Sequence, residues 1–216
     1  MRLLSRESTT ARVVFILVLA TQNGCRKNAE GPTAGLTGGT LVFQDDFSQW
    51  RSSDWRSQGK AWSVVDGKLK VSGAKNDALW LTQALPEKVR VEFTATSLSP
   101  DGDIKAEIFG NGHDHQSGYI AIFGGWRNST SCMARLNEHG NDRQDRQSHQ
   151  TVEGGRPYQI ALVRSDRDVV FFLDGERYME FRDAAPLLGP EHSYFAFNDW
   201  MVSLSFDDVR IYDLKP

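Results

Sequence analysis

The sequence predicts an all-β protein of two antiparallel sheets stacked face to face, and three observations carry that prediction. Asp174-Gly175 separates two strand-like apolar runs, 169–173 and 177–181, and an Asp-Gly pair supplies the two positive-φ positions that a tight hairpin requires. In Val89-Arg90-Val91-Glu92-Phe93-Thr94-Ala95-Thr96 the apolar residues fall on every second position, the period of a strand packed on one face and wet on the other. No segment shows a convincing helical period.

The elements follow in order. Strands are predicted at 61–65, then 68–72 across the Asp66-Gly67 turn, and at 78–82, 89–96, 104–109, 118–124, 131–137, 158–164, 169–173, 177–181, 193–197 and 202–212. Run 169–173 is apolar on both faces, with Val169, Phe171 and Leu173 on one and Val170 and Phe172 on the other, so a central strand is expected there. In 89–96 the alternation assigns Val89, Val91, Phe93 and Ala95 to the core and Arg90, Glu92 and Thr94 to the outside. Many half-buried strands spaced by Gly and Asp turns fit a sandwich.

The N-terminus carries a different message. Arg2, Arg6 and Arg12 precede the apolar run 13–20, which is too short to span a bilayer core of ~30 Å and reads as a secretory signal. Val18-Leu19-Ala20 suits cleavage after Ala20, while Gly24-Cys25 is similar to the end of a bacterial lipoprotein signal, with Gln22 where an apolar residue is usual. Free secretion and acylation of Cys25 both stay open. Residues 1–25 are thus assigned to export, 26–40, rich in glycine, to a flexible tether, and 41–216 to one domain. Membrane attachment is expected only through an N-terminal lipid.

A net charge of −3 gives no large basic surface, which sets nucleic acid aside as a partner. With Cys25 acylated or removed, Cys132 has no partner, so a disulfide scaffold is excluded for the mature domain. Cys132 reads as a small buried hydrophobe.

The C-terminal third narrows the fold. A strand ending in Asp174-Gly175, a return strand ending in Asp183, then Pro186-Leu187-Leu188-Gly189 and a terminal Asp207-Asp208-Val209-Arg210-Ile211-Tyr212 strand resemble the closing part of concanavalin A-like lectin/glucanase jelly rolls. The resemblance covers most of 40–216 and is closest to small secreted bacterial domains found among polysaccharide-degrading proteins. It implies a concanavalin A-like jelly-roll β-sandwich whose concave face takes a chain-like ligand. It also implies a structural Ca²⁺ near the paired first and last strands, for which Asp45, Asp46, Asp207 and Asp208 are the candidate ligands.

Asp103-Ile104-Lys105-Ala106-Glu107 resembles the alternating acidic strand of the glucanases with this fold, with Lys105 where the orienting Asp belongs and Asp103 in place of the leading Glu. A solvated Lys105-Glu107 neighbour pair explains the same residues without catalysis. A richer constellation is Trp126-Arg127 followed by 134–143, in which Arg135 and Asn137 share a strand face with Met133, and Glu138 and His139 sit at the strand's end. Indoles at Trp126 and Trp200 offer flat apolar platforms for the CH-rich face of a sugar, while Asn198, Arg135 and Asn137 offer directional hydrogen bonds. His113-Asp114-His115 lacks partner ligands at a diagnostic spacing and reads as a hydrated loop.

These residues lead to an exported carbohydrate-binding sandwich with a polysaccharide or oligosaccharide partner, located in the secreted, periplasmic or lipid-anchored fraction of a bacterial envelope. The alternatives are a glycoside hydrolase or polysaccharide lyase using Glu107, Glu138 or His139, and a structural envelope protein without a sugar site.

Overall fold

A computed structural model describes residues 36–146 and 150–215. The export segment and Cys25 lie outside the described residues. Fifteen strands follow one another: β1 Thr40–Asp45, β2 Trp55–Arg56, β3 Ser63–Val65, β4 Lys68–Ser72, β5 Leu79–Leu81, β6 Val89–Ser97, β7 Ile104–Gly110, β8 Tyr119–Gly124, β9 Thr130–Arg135, β10 Gln144–Asp145, β11 Pro157–Ser165, β12 Asp168–Leu173, β13 Glu176–Arg182, β14 Tyr194–Asn198 and β15 Ser203–Asp213. They form two sheets whose pairings are all antiparallel. The first runs β13-β12-β11-β6-β15-β4-β3, with β1 paired to the far half of β15, and the second runs β10-β9-β8-β7-β14-β5-β2.

Both Asp-Gly turns adopt the expected left-handed pair, with φ of 55° and 68° at Asp66 and Gly67 and 51° and 83° at Asp174 and Gly175. Strand β12 lies between β11 and β13, and each of its two apolar faces is covered. Phe171 and its alternates enter the main core, whereas Val170 and Phe172 join Ala161 and Val163 in a second cluster covered by Leu36 and Leu214. Leu36 and Gly38, placed by the sequence in the tether, therefore already pack on the sandwich. The Gly38 carbonyl accepts a hydrogen bond from Arg90 Nη1 at 2.9 Å, and the Arg90 guanidinium lies 4.2 Å from the Tyr212 ring centroid, so Arg90 sits on the outer face that alternation assigns it but is buried there.

The core between the sheets is aromatic. Phe197 of β14 is fully buried and stacks on Phe206 of β15 at 4.3 Å between centroids, with Phe195, Phe93 and Trp55 at 4.9, 5.1 and 5.6 Å. These contacts lock the second sheet against the first and fix which of its side chains point away from the core. On β7 those are Lys105 and Glu107, because Ile104, Ala106 and Ile108 point inward. On β8 and β9 they are Ile120, Ile122 and Cys132, which form a separate small cluster.

Strand β9 corrects a sequence assignment. Met133, expected beside Arg135 and Asn137 on the groove face, packs in the main core, and Arg135 follows it on that side, where its Nε donates to Asp183 Oδ2 at 2.9 Å. Alternation defines two faces but not which is inward, and here the longer thioether fills the core while the small Cys132 and Ala134 face out. The strand also ends at Arg135, since Leu136 turns left-handed at φ 63°. Strand β15 carries a bulge between Asp207 and Arg210 with Asp208 at φ 51°, where its neighbour changes from β4 to β1.

Candidate functional site

The outward face of the second sheet carries a buried polar network with an open cavity above one end. Glu107 is fully buried, and its Oε1 accepts from Asn198 Nδ2 at 2.5 Å and from His115 Nδ1 at 2.6 Å, while Oε2 accepts the Gln116 backbone N–H at 3.2 Å. On the other side of the His115 ring, Nε2 faces Glu138 Oε2 at 3.8 Å. Glu138 in turn receives Lys105, whose Nζ lies 2.9 Å from Oε2 and donates to Asn76 Oδ1 at 3.1 Å.

This alternation of charges sets the protonation states. Burial alone depresses the His115 pKa, but the hydrogen bond to Glu107 and the nearby Glu138 carboxylate outweigh it and raise the value to about 9, so the imidazole is a cation at neutral pH. Burial pushes the Glu138 carboxyl up, and the neighbouring His115 together with the charge and hydrogen bond of Lys105 reverses this to about 2. Asp103 is compensated too little. Burial raises it to about 6 despite Lys105, helped by the charges of Glu138 and Asp199, although the Trp200 N–H donates to it. Asp199, raised by its own burial, is structural: its carboxylate accepts the N–H groups of Ala74 at 2.9 Å and Val202 at 3.0 Å and so shapes the loop before β15.

The cavity, of about 670 Å³, has Lys105, Glu138, Asn76, Asp103 and Ile122 among its lining residues, together with Trp126, Arg127, His139, Trp200 and Met201. Trp126 and Trp200 are 37% and 49% exposed, large values for indoles on a rigid scaffold. Trp126 is held by a local device. It opens a run of three non-glycine residues in left-handed backbone, Trp126, Arg127 and Asn128 at φ 52°, 59° and 61°. Such conformations cost of order 1–3 kcal/mol each and persist where the surroundings over-determine them. Here the Asn128 side chain does so, donating to the carbonyls of Val152 at 2.8 Å and Pro100 at 3.0 Å and accepting the Val152 N–H at 2.8 Å. His139 meets the Trp126 ring edge-on at 5.7 Å, and the Arg143 guanidinium lies 4.7 Å from its centroid.

Of the residues singled out by the sequence, the structure brings Trp126, Glu138, His139 and Trp200 together on this cavity. Glu107 and Asn198 lie in the sealed network beside it. Arg135 lies on the opposite side of the sheet, engaged by Asp183, and exposed Asn137 uses its Oδ1 to accept the His139 N–H at 2.9 Å. Cys132 is buried, its thiol pushed up to about 12 by burial, so it is not a thiolate at neutral pH. Arg127, named beside Trp126, and Asp103, named on the glucanase-like strand, also line the cavity, whereas the sequence did not place Asn76 or Met201 at the groove, nor His115 in a network. Only the Asp103-Lys105-Glu107 alternation signalled part of this, because the remaining groups arrive on loops.

The four aspartates considered for Ca²⁺ lie where β1 meets β15, each engaged by a protein donor. Asp45 accepts the Phe47 N–H at 3.0 Å and the Trp55 indole N–H at 2.8 Å, and Asp46 accepts the Ser48 N–H at 3.0 Å. Asp207 lies 3.5 Å from Lys68 and Asp208 3.2 Å from Arg210. Among the described residues no group of three or more His, Cys, Asp or Glu is arranged to hold a metal ion.

Two antiparallel sheets packed on an aromatic core, with a groove on the outward face of one, define a concanavalin A-like jelly-roll sandwich. Solved structures agree on the fold. The chain matches the carbohydrate-binding module CBM66 from Bacillus subtilis with a TM-score of 0.62 and 12% identity, covering 74% of this chain and 96% of that one. It matches a Bacillus licheniformis β-glucanase with a TM-score of 0.60 and 12% identity, covering 83% and 100%. The extracellular exo-α-L-arabinofuranosidase of Streptomyces chartreusis is 25% identical over 149 residues, which is 68% of this chain but only 18% of that protein. No family model matches the chain.

Proposed function

We propose that this chain is an exported carbohydrate-binding domain that holds an oligosaccharide or polysaccharide in the Trp126–Trp200 cavity. The observation that carries the reading is the pair of exposed indoles on one cavity whose lining holds Lys105, Glu138, Asn76 and Asp103. Indole faces take the apolar faces of sugar rings, and a lining of fixed donors and acceptors takes hydroxyls. The names of the relatives, a carbohydrate-binding module and an extracellular arabinofuranosidase, support a glycan partner and export.

A second reading, hydrolysis, is favoured by one observation: Asp103 and Glu138 line the same cavity with pKa values shifted in opposite directions, to about 6 and about 2. Carboxyls tuned apart in this way suit an acid and an ionised partner. Against it, Glu107, which occupies the end of the glucanase-like strand, is sealed from the cavity by Asn198 and His115. Binding is therefore the better-supported reading. It is tested by incubating the full chain with a panel of neutral and acidic polysaccharides while reading both retention and the release of reducing or unsaturated ends. Retention without product supports binding, product abolished by Asp103→Asn or Glu138→Gln supports hydrolysis, and neither signal supports a structural role.

A further inference from the structure

A second cavity, of about 690 Å³, adjoins the first and shares Asn76 with it. His115, whose Nε2 lies 3.8 Å from Glu138 of the first cavity, also lines it. Its character is different. Among the described residues no Trp, Tyr or Phe lines it, and Lys60, Lys75, His113 and His115 do.

The acids on this lining already have partners. Asp77 accepts the Gln58 N–H on Oδ1 at 2.9 Å and the Gly59 N–H on Oδ2 at 2.7 Å. Asp114 accepts from Asn111 Nδ2 at 3.0 Å and lies 2.7 Å from His113 Nδ1. Lys60 and Lys75 are exposed, and neither forms an ion pair among the described residues. Among the described residues Lys60 and Lys75 are thus the lining's ammonium groups left without a carboxylate partner, while both aspartates on it are engaged.

The loops presenting these cations are fixed. The Asp77 clamp sets residues 58–59 immediately before Lys60, the Asp77 carbonyl accepts the Trp62 indole N–H at 2.8 Å, and Gln58 Nε2 reaches the His113 carbonyl at 3.2 Å. Lys75 and Asn76 both sit in left-handed backbone, φ 54° and 66°, and their N–H groups donate to the carbonyls of Trp200 and Asp199 at 2.8 Å each. The wall shared by the two cavities is therefore tied to the Trp200 loop, and the cationic pair is built into the same scaffold as the aromatic one.

We propose that this second cavity is a subsite for a carboxylated sugar, so that the ligand is an extended chain carrying uronate residues, one of which lies over Lys60 and Lys75 while a neighbour stacks in the Trp126–Trp200 cavity. The proposal rests on the carbohydrate reading above. A carboxylate meeting two ammonium groups gains charge-assisted hydrogen bonds that a neutral sugar lacks.

The test measures equilibrium binding of the full chain to short uronate oligosaccharides of several sugar types, each compared with its own methyl-esterified form, which keeps the sugar and removes the charge. At least one acid form should bind about tenfold more tightly than its ester, since two exposed ion pairs contribute of the order of a tenfold change. Lys60→Ala with Lys75→Ala should erase that difference and leave the ester's affinity unchanged, whereas Trp126→Ala should weaken both forms alike. Acid and ester bound equally, or a preference that survives the double lysine substitution, overturns the uronate subsite and leaves the carbohydrate reading standing. Failure to bind any form of any glycan, neutral ones included, overturns both.

Discussion

Replacing Glu107 by Gln tests whether the buried network is held by charge. In the native chain the His115 pKa rises from 6.5 to about 9. A cation with a raised pKa stabilises the fold fully below its unfolded value, and that contribution is lost as pH rises through the folded value. The window here runs from about 6.5 to about 9. A shift of that size, at about 1.36 kcal/mol per unit, corresponds to about 3 kcal/mol of stability present in acid and absent in base. Glutamine can keep an oxygen for Asn198 Nδ2, but its NH2 then meets the Gln116 N–H, and it carries no charge, so most of the slope should disappear, the remainder coming from Glu138 beside the other ring nitrogen. The assay is denaturant unfolding of both proteins at a series of pH values across the window. The native chain should lose stability as pH rises, and Glu107→Gln should be less stable in acid, with the gap narrowing toward base. A variant that keeps the full slope, or a native chain without one, would refute the reasoning.

Other predictions concern the core, the strained turn and Asp103. Phe197→Ala should cost about 3–5 kcal/mol by denaturant titration, because the ring is fully buried among five aromatic neighbours that cannot close the space. Asn128→Ala removes three hydrogen bonds and leaves a non-glycine residue in left-handed backbone, so about 2–3 kcal/mol should be lost. Glycan affinity should fall with it although Trp126 is untouched. Asp103 becomes an anion as pH rises through about 6, so affinity for acidic glycans should weaken across that value. Asp103→Asn should flatten the profile in a binding titration.

The sequence made most of the sandwich legible, because alternation and Asp-Gly turns are local signals. Strand β4 was expected at the residues it occupies, β6 and β12 to within a residue, and both Asp-Gly turns with their backbone sign. Strands β2 and β10, two residues each, are set by pairing with β5 and β9 rather than by their own pattern. The site was legible in part for a related reason. Trp126, Glu138, His139 and Trp200 were visible as residue types in loops and at strand ends, where function collects. The inward face of β9 was not, because both of its faces hold apolar residues and only packing decides between Met133 and Cys132. Nor was the meeting of Glu107, His115 and Glu138, which depends on two loops closing over one sheet.

The most direct test of the glycan groove is a binding screen of the native chain and the Trp126→Ala, Trp200→Ala double variant against a broad polysaccharide panel, with unfolding curves recorded for both. Both indoles are exposed, so the variant should unfold like the native chain while losing at least about tenfold in affinity for whichever glycan the native chain retains. A native chain that retains no glycan, or a folded double variant that binds as tightly as the native chain, would contradict it.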